Sequence, residues 1–461
     1  MSARTGAGQR RKKLKMTNTK TKTLTEGTPW KQILLFSIPI FWGNVFQLLY
    51  SLVDTKIVGS TLGTQALAAV GSVSTLHTLM TGFLNGLTLG FSLITAMCFG
   101  AKNWKRLKKS FATAIVLGLV TTAVLVVILM LFLHPVLNVL HVPQAQYDMA
   151  YAYISVLIVG LFTTLLYNLC ANTLRAIGDS ITPLVFLIVS TVSNIGLDYL
   201  FILGFKMGVQ GAAFATVLAQ LLSVVLCFIR IFRKFPILYL KKTDFRLEKE
   251  LVSEMYKSGL SMGLMSCIVG IGTILLQSAI NTLGTTVIVA HTAARKVFEI
   301  MALPNSVLGS AMATYSGQNY GAKRFDRIRQ GICSSLIIVA CWAVIVFIIC
   351  HTVEGRLIQF VASTTDPGVI YWGSTYLKYD MSFIAVCGVI VILRNSMQGF
   401  GDRVIPVFSS CIELAGKMIF AFVFAPMFAY WGIIWAEPVV WIAMVIPLII
   451  KVVHTLKKNS C

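Results

Sequence analysis

Long apolar runs separated by short polar or basic stretches make up most of the chain. A helix needs roughly 20 apolar residues to cross the core of a bilayer, and twelve such spans can be laid out. They fall near residues 33–58, 65–98, 111–133, 147–170, 181–203, 209–231, 258–281, 286–319, 330–350, 372–394, 405–427 and 431–453. The second and eighth are long, about 34 residues or ~50 Å of helix, so each is expected to tilt, bend or project beyond the bilayer. Pro39 in the first span and Pro304 in the eighth predict kinks, or bends that move. Gly178-Asp179 before Pro183 and Gly401-Asp402 before Pro406 read as tight turns that start spans five and eleven.

The pattern repeats. TLGTQALAAV from Thr61 returns as TLGTTVIVAH from Thr282, and GAKNWKRLKK from Gly100 as GAKRFDRIRQ from Gly321, both 221 residues on. RAIGDSITPL from Arg175 is echoed by QGFGDRVIPV from Gln398, and GAAFAT from Gly211 by GIIWAE from Gly432. The predicted fold class is therefore an all-α polytopic membrane protein of twelve helices in two pseudo-twofold-related six-helix bundles. Its expected divisions are a basic tail over 1–31, a first half over 32–232, a linker over 233–256, a second half over 257–454 and a tail over 455–461. Two similar bundles can enclose a cleft that opens to either side by rocking, the usual plan of a secondary transporter.

Composition agrees. The 461 residues are 56% hydrophobic and 12% charged, about half the charge of a soluble domain. A net charge of +22 suggests nucleic acid in a soluble chain, but here the cations lie in the tail and between spans. Arg10, Arg11, Lys12, Lys13 and Lys15 precede span one, Lys102 to Lys109 follow span two, Arg230 to Lys249 follow span six, and Lys323 to Arg329 follow span eight. Lys457 and Lys458 follow the last, while Lys56, Lys206, Arg356 and Lys378 are the main exceptions on the other side. This puts both termini in the cytoplasm, with anionic lipid rather than nucleic acid as the partner of the basic face. The ten cysteines are scattered without CxxC spacing, and the six histidines are dispersed with no HExxH. Neither an enzyme nor a bound cofactor is expected. No GxxxxGK[ST] loop is present, so transport would run on an ion gradient.

A carboxylate inside an apolar span costs about 3 kcal/mol or more. Asp54 and Asp198 both sit in that position, Asn194 shares a helix face with Asp198, and Thr216 lies on the next span. Together they form a candidate site for H⁺ or Na⁺; a structural hydrogen-bond network is the alternative. Gln47, Tyr153 and Asn168 are candidates to complete the lining. In the repeat, Asp54 falls opposite Leu275, and Asn194 and Asp198 opposite Lys417 and Ala421, which places the ion site in the first half only. The second half has its own polar set: Gln277, Arg295, Lys296, Glu299, Tyr379, Asp380, Glu413, Lys417 and Glu437. Gln277, Glu299 and Tyr379 are candidate cavity-lining residues. Glu413 and Lys417, at i and i+4, read as a pair, and Asp380 as close enough to the outer surface to be solvated.

The chain resembles the multidrug and toxic compound extrusion (MATE) family. The resemblance rests on FQLLYSLVDTKIVGSTLGTQALAAVG, LRAIGDSITPL, SNIGLDYLFILG, GVQGAAFATVLAQ and the repeat. It implies a V-shaped, monomeric antiporter of the bacterial inner membrane that exports lipophilic cations in exchange for H⁺ or Na⁺. In the family's DNA-damage-inducible branch, residues matching Asp54, Asn194, Asp198 and Thr216 build the cation site, and residues matching Gln47, Tyr153 and Asn168 surround it. Another branch uses a glutamate on helix seven, which GLSMGLMSCIVGIGTILLQSAIN lacks. The alternative function is a flippase for lipid-linked oligosaccharides, which is expected to need an Arg- and Lys-lined cleft.

Overall fold

A computed structural model describes residues 23–140 and 142–458. Most of the predicted basic tail, residues 1–22, and the end of the C-terminal tail, residues 459–461, lie outside the described residues. The described chain is helical throughout, with no strand.

Helix α1 (Pro29–Gly100) carries the first two spans and breaks at Gly63, the one residue within it whose backbone is not helical. Then follow α2 (Trp104–Leu131), the short α3 (Leu133–Val139), α4 (Gln144–Ala176), α5 (Ile181–Tyr199) and α6 (Gly208–Lys234). The linker leads into α7 (Lys249–Ile280), α8 (Thr285–Gly321), α9 (Phe325–Thr352) and α10 (Glu354–Ala362). The last elements are α11 (Pro367–Ser382), α12 (Ile384–Gly399), α13 (Val404–Ile419), α14 (Ala425–Phe428), α15 (Tyr430–Ile434) and α16 (Ala436–Lys458). Among the described residues, nine helices are long and apolar enough to cross a membrane, or ten when α11 and α12, bent by 48°, count as one. Since α1 holds two spans and α8 supplies the one that carries Arg295, Lys296 and Glu299, every predicted span lies on a helix. Helical backbone continues through Pro39 and Pro304.

The repeat is written into the backbone as well. Gly63 (φ 84°) and Gly284 (φ 93°) are 221 residues apart, as are Lys102 (φ 54°) and Lys323 (φ 58°). Gly178 (φ 90°) and Gly401 (φ 93°) are 223 apart, as are Lys206 (φ 55°) and Ala429 (φ 50°). Left-handed backbone at Lys and Ala costs energy, so two copies of it at equivalent turns mark a shared architecture. Both copies also widen their fifth span into a π-helical turn, Leu200–Gly204 and Phe420–Phe424.

Packing groups the chain into two compact units. One holds Trp42–Gly263, the other Leu24–Phe41 together with Leu264 onward. The start of α1 thus packs with the second unit, and the start of α7 with the first. Within the first unit, Gly86 and Gly90 of α1 meet Ser258 through Gly263 of α7. A Cβ on Gly86 would lie 2.5 Å from the Met262 carbonyl oxygen, and one on Gly90 2.4 Å from that of Ser258. Gly259 and Gly263 return the contact against Phe91 and Phe83. Two GxxxG faces therefore bring the helices to backbone contact, a common device where apolar lipid offers no hydrophobic drive to association. In the second unit, the segment before α1 is held by its backbone. The Leu24 N–H donates to Gln318 Oε1 (2.9 Å), and Asn319 Nδ2 and Arg327 donate to the carbonyls of Leu24 (3.2 Å) and Gly27 (2.8 Å).

Candidate cation-coupling site

Helix α5 turns a polar strip inward: Ser190, Asn194 and Asp198, spaced by four, are all buried. It is fastened to α6 by two hydroxyls. Ser190 donates to the Ala219 carbonyl (2.8 Å), and Ser223 donates to that of Phe186 (2.8 Å). This register sets Thr216 of α6 beside Asn194. With its amide nitrogen toward the acid, Asn194 donates to Asp198 Oδ2 (3.0 Å) and accepts from the Thr216 backbone N–H (3.3 Å). The Thr216 hydroxyl shares a 3.0 Å hydrogen bond with Tyr50 Oη of α1. One turn further along α1, the Asp54 carboxyl reaches that of Asp198. Tyr153 of α4, 8% exposed, lies within electrostatic range of both acids.

Asp54, Asn194, Asp198 and Thr216 are thus brought together, with Tyr153 nearby. Tyr50 was missed by the sequence reading, although its position four residues before Asp54 puts it on the same helix face. Gln47 is exposed and Asn168 half-buried, and neither hydrogen-bonds to the acid pair. Asp198 is fully buried, and Oδ1 of Asp198 and Oδ1 of Asp54 are each enclosed without a hydrogen-bond partner. Among the described residues, no Lys or Arg forms an ion pair with either acid. Two carboxyl groups in contact need a shared proton or an intervening cation, because their like charges repel strongly in a weakly polar setting. The enclosed oxygens are the ligand type that a hard cation such as Na⁺ prefers.

The second unit has a polar centre of different character. Lys417 of α13 bridges Glu413 (3.0 Å) and Glu437 of α16 (3.2 Å). Arg394 of α12 approaches Glu413 (3.5 Å), and Arg295 of α8 approaches Glu437 (3.7 Å). The expected Glu413–Lys417 pair is therefore the middle of a longer buried chain. Asp380 corrects an expectation: it is fully buried rather than solvated, and neither carboxyl oxygen has a hydrogen-bond partner. The reason is packing: α11 lies along α8, which encloses Asp380 within the second unit, in electrostatic range of Glu437, Arg295 and Lys417. Of the other candidates, Gln277 donates to Asn281 in the turn just after its own helix (2.9 Å), and Glu299 is exposed. Tyr379 packs edge-on against Trp431 and Trp435. Among the described residues, no group of three or more His, Cys, Asp or Glu side chains is placed to hold a metal ion.

The profile of the MatE family matches the sequence twice, over residues 39–200 and 261–424. The chain belongs to the MatE family. It is accordingly a membrane transporter and not an enzyme. The two matches fall on the two copies of the repeat. Among its relatives, the probable multidrug resistance protein YoeA of Bacillus subtilis is 28% identical over 408 residues, spanning 86% of this chain and 87% of the relative. The multidrug export protein MepA of Staphylococcus saprophyticus is 21% identical over 412 residues, spanning 88% and 90%. A solved structure of a MATE protein in a bent conformation superposes with a TM-score of 0.87 over 95% of this chain and 98% of that one, at 20% identity. The MatE fold is thus shared almost end to end.

Proposed function

We propose that this MatE protein is a multidrug efflux antiporter that exports lipophilic cations in exchange for H⁺ or Na⁺, as a monomer in the bacterial inner membrane with both termini cytoplasmic. The names of its relatives support drug export. One observation supports ion coupling at this site: Asp54 and Asp198 in contact, each with an enclosed, unpartnered oxygen and no cationic side chain beside it. Ion binding from outside neutralises the pair, and loss of the ion inside restores the negative charge that attracts a cationic substrate. Asn194, Thr216 and Tyr50 orient the acids, while Tyr153 offers an aromatic face for a lipophilic cation. The use of the first-half acids follows the pattern of the DNA-damage-inducible branch.

The flippase reading asks for exposed Arg and Lys to meet a pyrophosphate. In the second unit, Lys417 is 2% and Arg394 8% exposed, and both are engaged with carboxylates. That favours a structural role for these cations. Efflux of a fluorescent lipophilic cation from proteoliposomes, under an imposed pH gradient and then an imposed Na⁺ gradient, tests the proposal. Efflux driven by one gradient names the ion, whereas folded, inserted protein that moves the dye under neither sinks the antiporter reading.

A further inference from the structure

The linker between the two halves does more than connect them. After α6, residues 236–238 and 242–245 form two tight 3₁₀ turns that lie against α2. Asp244 stabilises the second turn by accepting the Lys241 N–H at Oδ2 (2.8 Å). Glu248 pairs with Lys109, and Glu254 pairs with Arg106 (2.6 Å), which pins the linker and the start of α7 to α2. The hydrogen bond from the neighbouring Lys109 ammonium holds the Glu248 carboxyl below its usual pKa.

Between the linker and α2 lies a cleft of about 420 Å³, lined by Lys105, Lys109, Lys242, Thr243, Asp244 and Arg246. Lys109 is answered by Glu248, and Asp244 is turned to its own backbone. Among the described residues, Lys105, Lys242 and Arg246 form no ion pair. Membrane topology asks only for cations near the ends of spans. It does not ask for cations from two segments far apart in sequence to converge on one hollow, nor for a hydroxyl among them. Phe245 (42% exposed) and Leu247 (50% exposed) flank Arg246, and apolar side chains beside cations suit the headgroup layer of a membrane.

We propose that this cleft binds a phosphate group, held by Lys105, Lys242 and Arg246 with the Thr243 hydroxyl as an additional donor. The phosphate group is common to anionic lipid headgroups and to soluble phosphate compounds, and lysine and arginine are the side chains that bind it. The proposal does not depend on the transport reading, since none of these residues touches the acid pair.

The test uses the full-length protein in nanodiscs and follows its unfolding midpoint. One arm titrates inorganic pyrophosphate into phosphatidylcholine discs; the other raises the phosphatidylglycerol content of the discs. The variants are Lys242→Gln with Arg246→Gln, and separately Lys105→Gln from the opposite wall. Lys457→Gln with Lys458→Gln is the control, its two lysines being exposed on α16. Saturable stabilisation is expected in at least one arm, weakened roughly tenfold or more when both linker cations are removed, less by Lys105→Gln, and not at all by the control. Response to lipid alone names a headgroup, and response to pyrophosphate names a soluble compound. No saturable stabilisation in either arm, or equal weakening by the control, overturns the proposal.

Discussion

Two carboxyl groups held against each other in an apolar setting leave few choices of charge, and Asp54 and Asp198 are in that position. Tyr50 and Thr216 add one hydroxyl hydrogen bond to the arrangement (3.0 Å). Replacing Tyr50 with Phe removes that bond alone and should weaken coupling-ion affinity by ~1 kcal/mol, about fivefold, with transport retained at saturating ion. An ion titration of efflux rate checks this. Lys417 predicts the opposite kind of outcome. It is 2% exposed and bridges two carboxylates, so Lys417→Met strands buried negative charge and should cost ~3–5 kcal/mol of stability. Adding Glu413→Gln should return part of the loss, measurable by thermal unfolding in detergent. At this scale the sequence was legible where a charge stood within an apolar run, as at Asp198. It was not legible at Asp380, because what buries this residue is the packing of α11 along α8, which the hydropathy of a single span does not encode. Tyr50 went unread because an amphipathic aromatic gives no charge signal, although its spacing from Asp54 was available.

Elements were more readable than their contacts. Twelve apolar runs and their order follow from length and hydropathy, and the observed helices carry all of them. What hydropathy does not encode is which helix faces meet. The Gly86–Gly90 and Gly259–Gly263 faces have GxxxG spacing, but the pattern identifies a partner only once the fold is known. Gly90→Leu would place side-chain atoms where even a Cβ lies 2.4 Å from the Ser258 carbonyl oxygen. The helices must then separate, at a cost of at least ~1–3 kcal/mol. Lower yield of monodisperse protein and a lower unfolding midpoint are the expected readouts, while wild-type values would show that this crossing yields easily. Within α1, the break falls at the left-handed glycine Gly63 and not at Pro39.

For the molecule as a whole, the repeat was the most informative feature of the sequence, and it recurs in paired left-handed turns and paired π-helical turns. The compact units nonetheless exchange segments, with Leu24–Phe41 packing in the second and the start of α7 in the first. No local pattern announces this, because it depends on distant partners such as Arg327, whose guanidinium holds the carbonyls of Leu24 and Gly27. Arg327→Ala should therefore loosen the segment before α1 and fray the helix's first turn, seen as faster tryptic cleavage at Lys31 in the folded protein. Unchanged cleavage would show that Gln318 and Asn319 suffice.

In the proposed cycle the acid pair exchanges an ion for a cationic substrate. Ion release tests this most directly: a lipophilic cation is added to purified protein in weakly buffered, low-sodium detergent solution, and displaced H⁺ or Na⁺ is measured. Wild-type protein should release ion in a saturable manner, and Asp54→Asn and Asp198→Asn variants of equal thermal stability should release little or none. Undiminished release from both variants would show that the acid pair does not carry the exchanged ion.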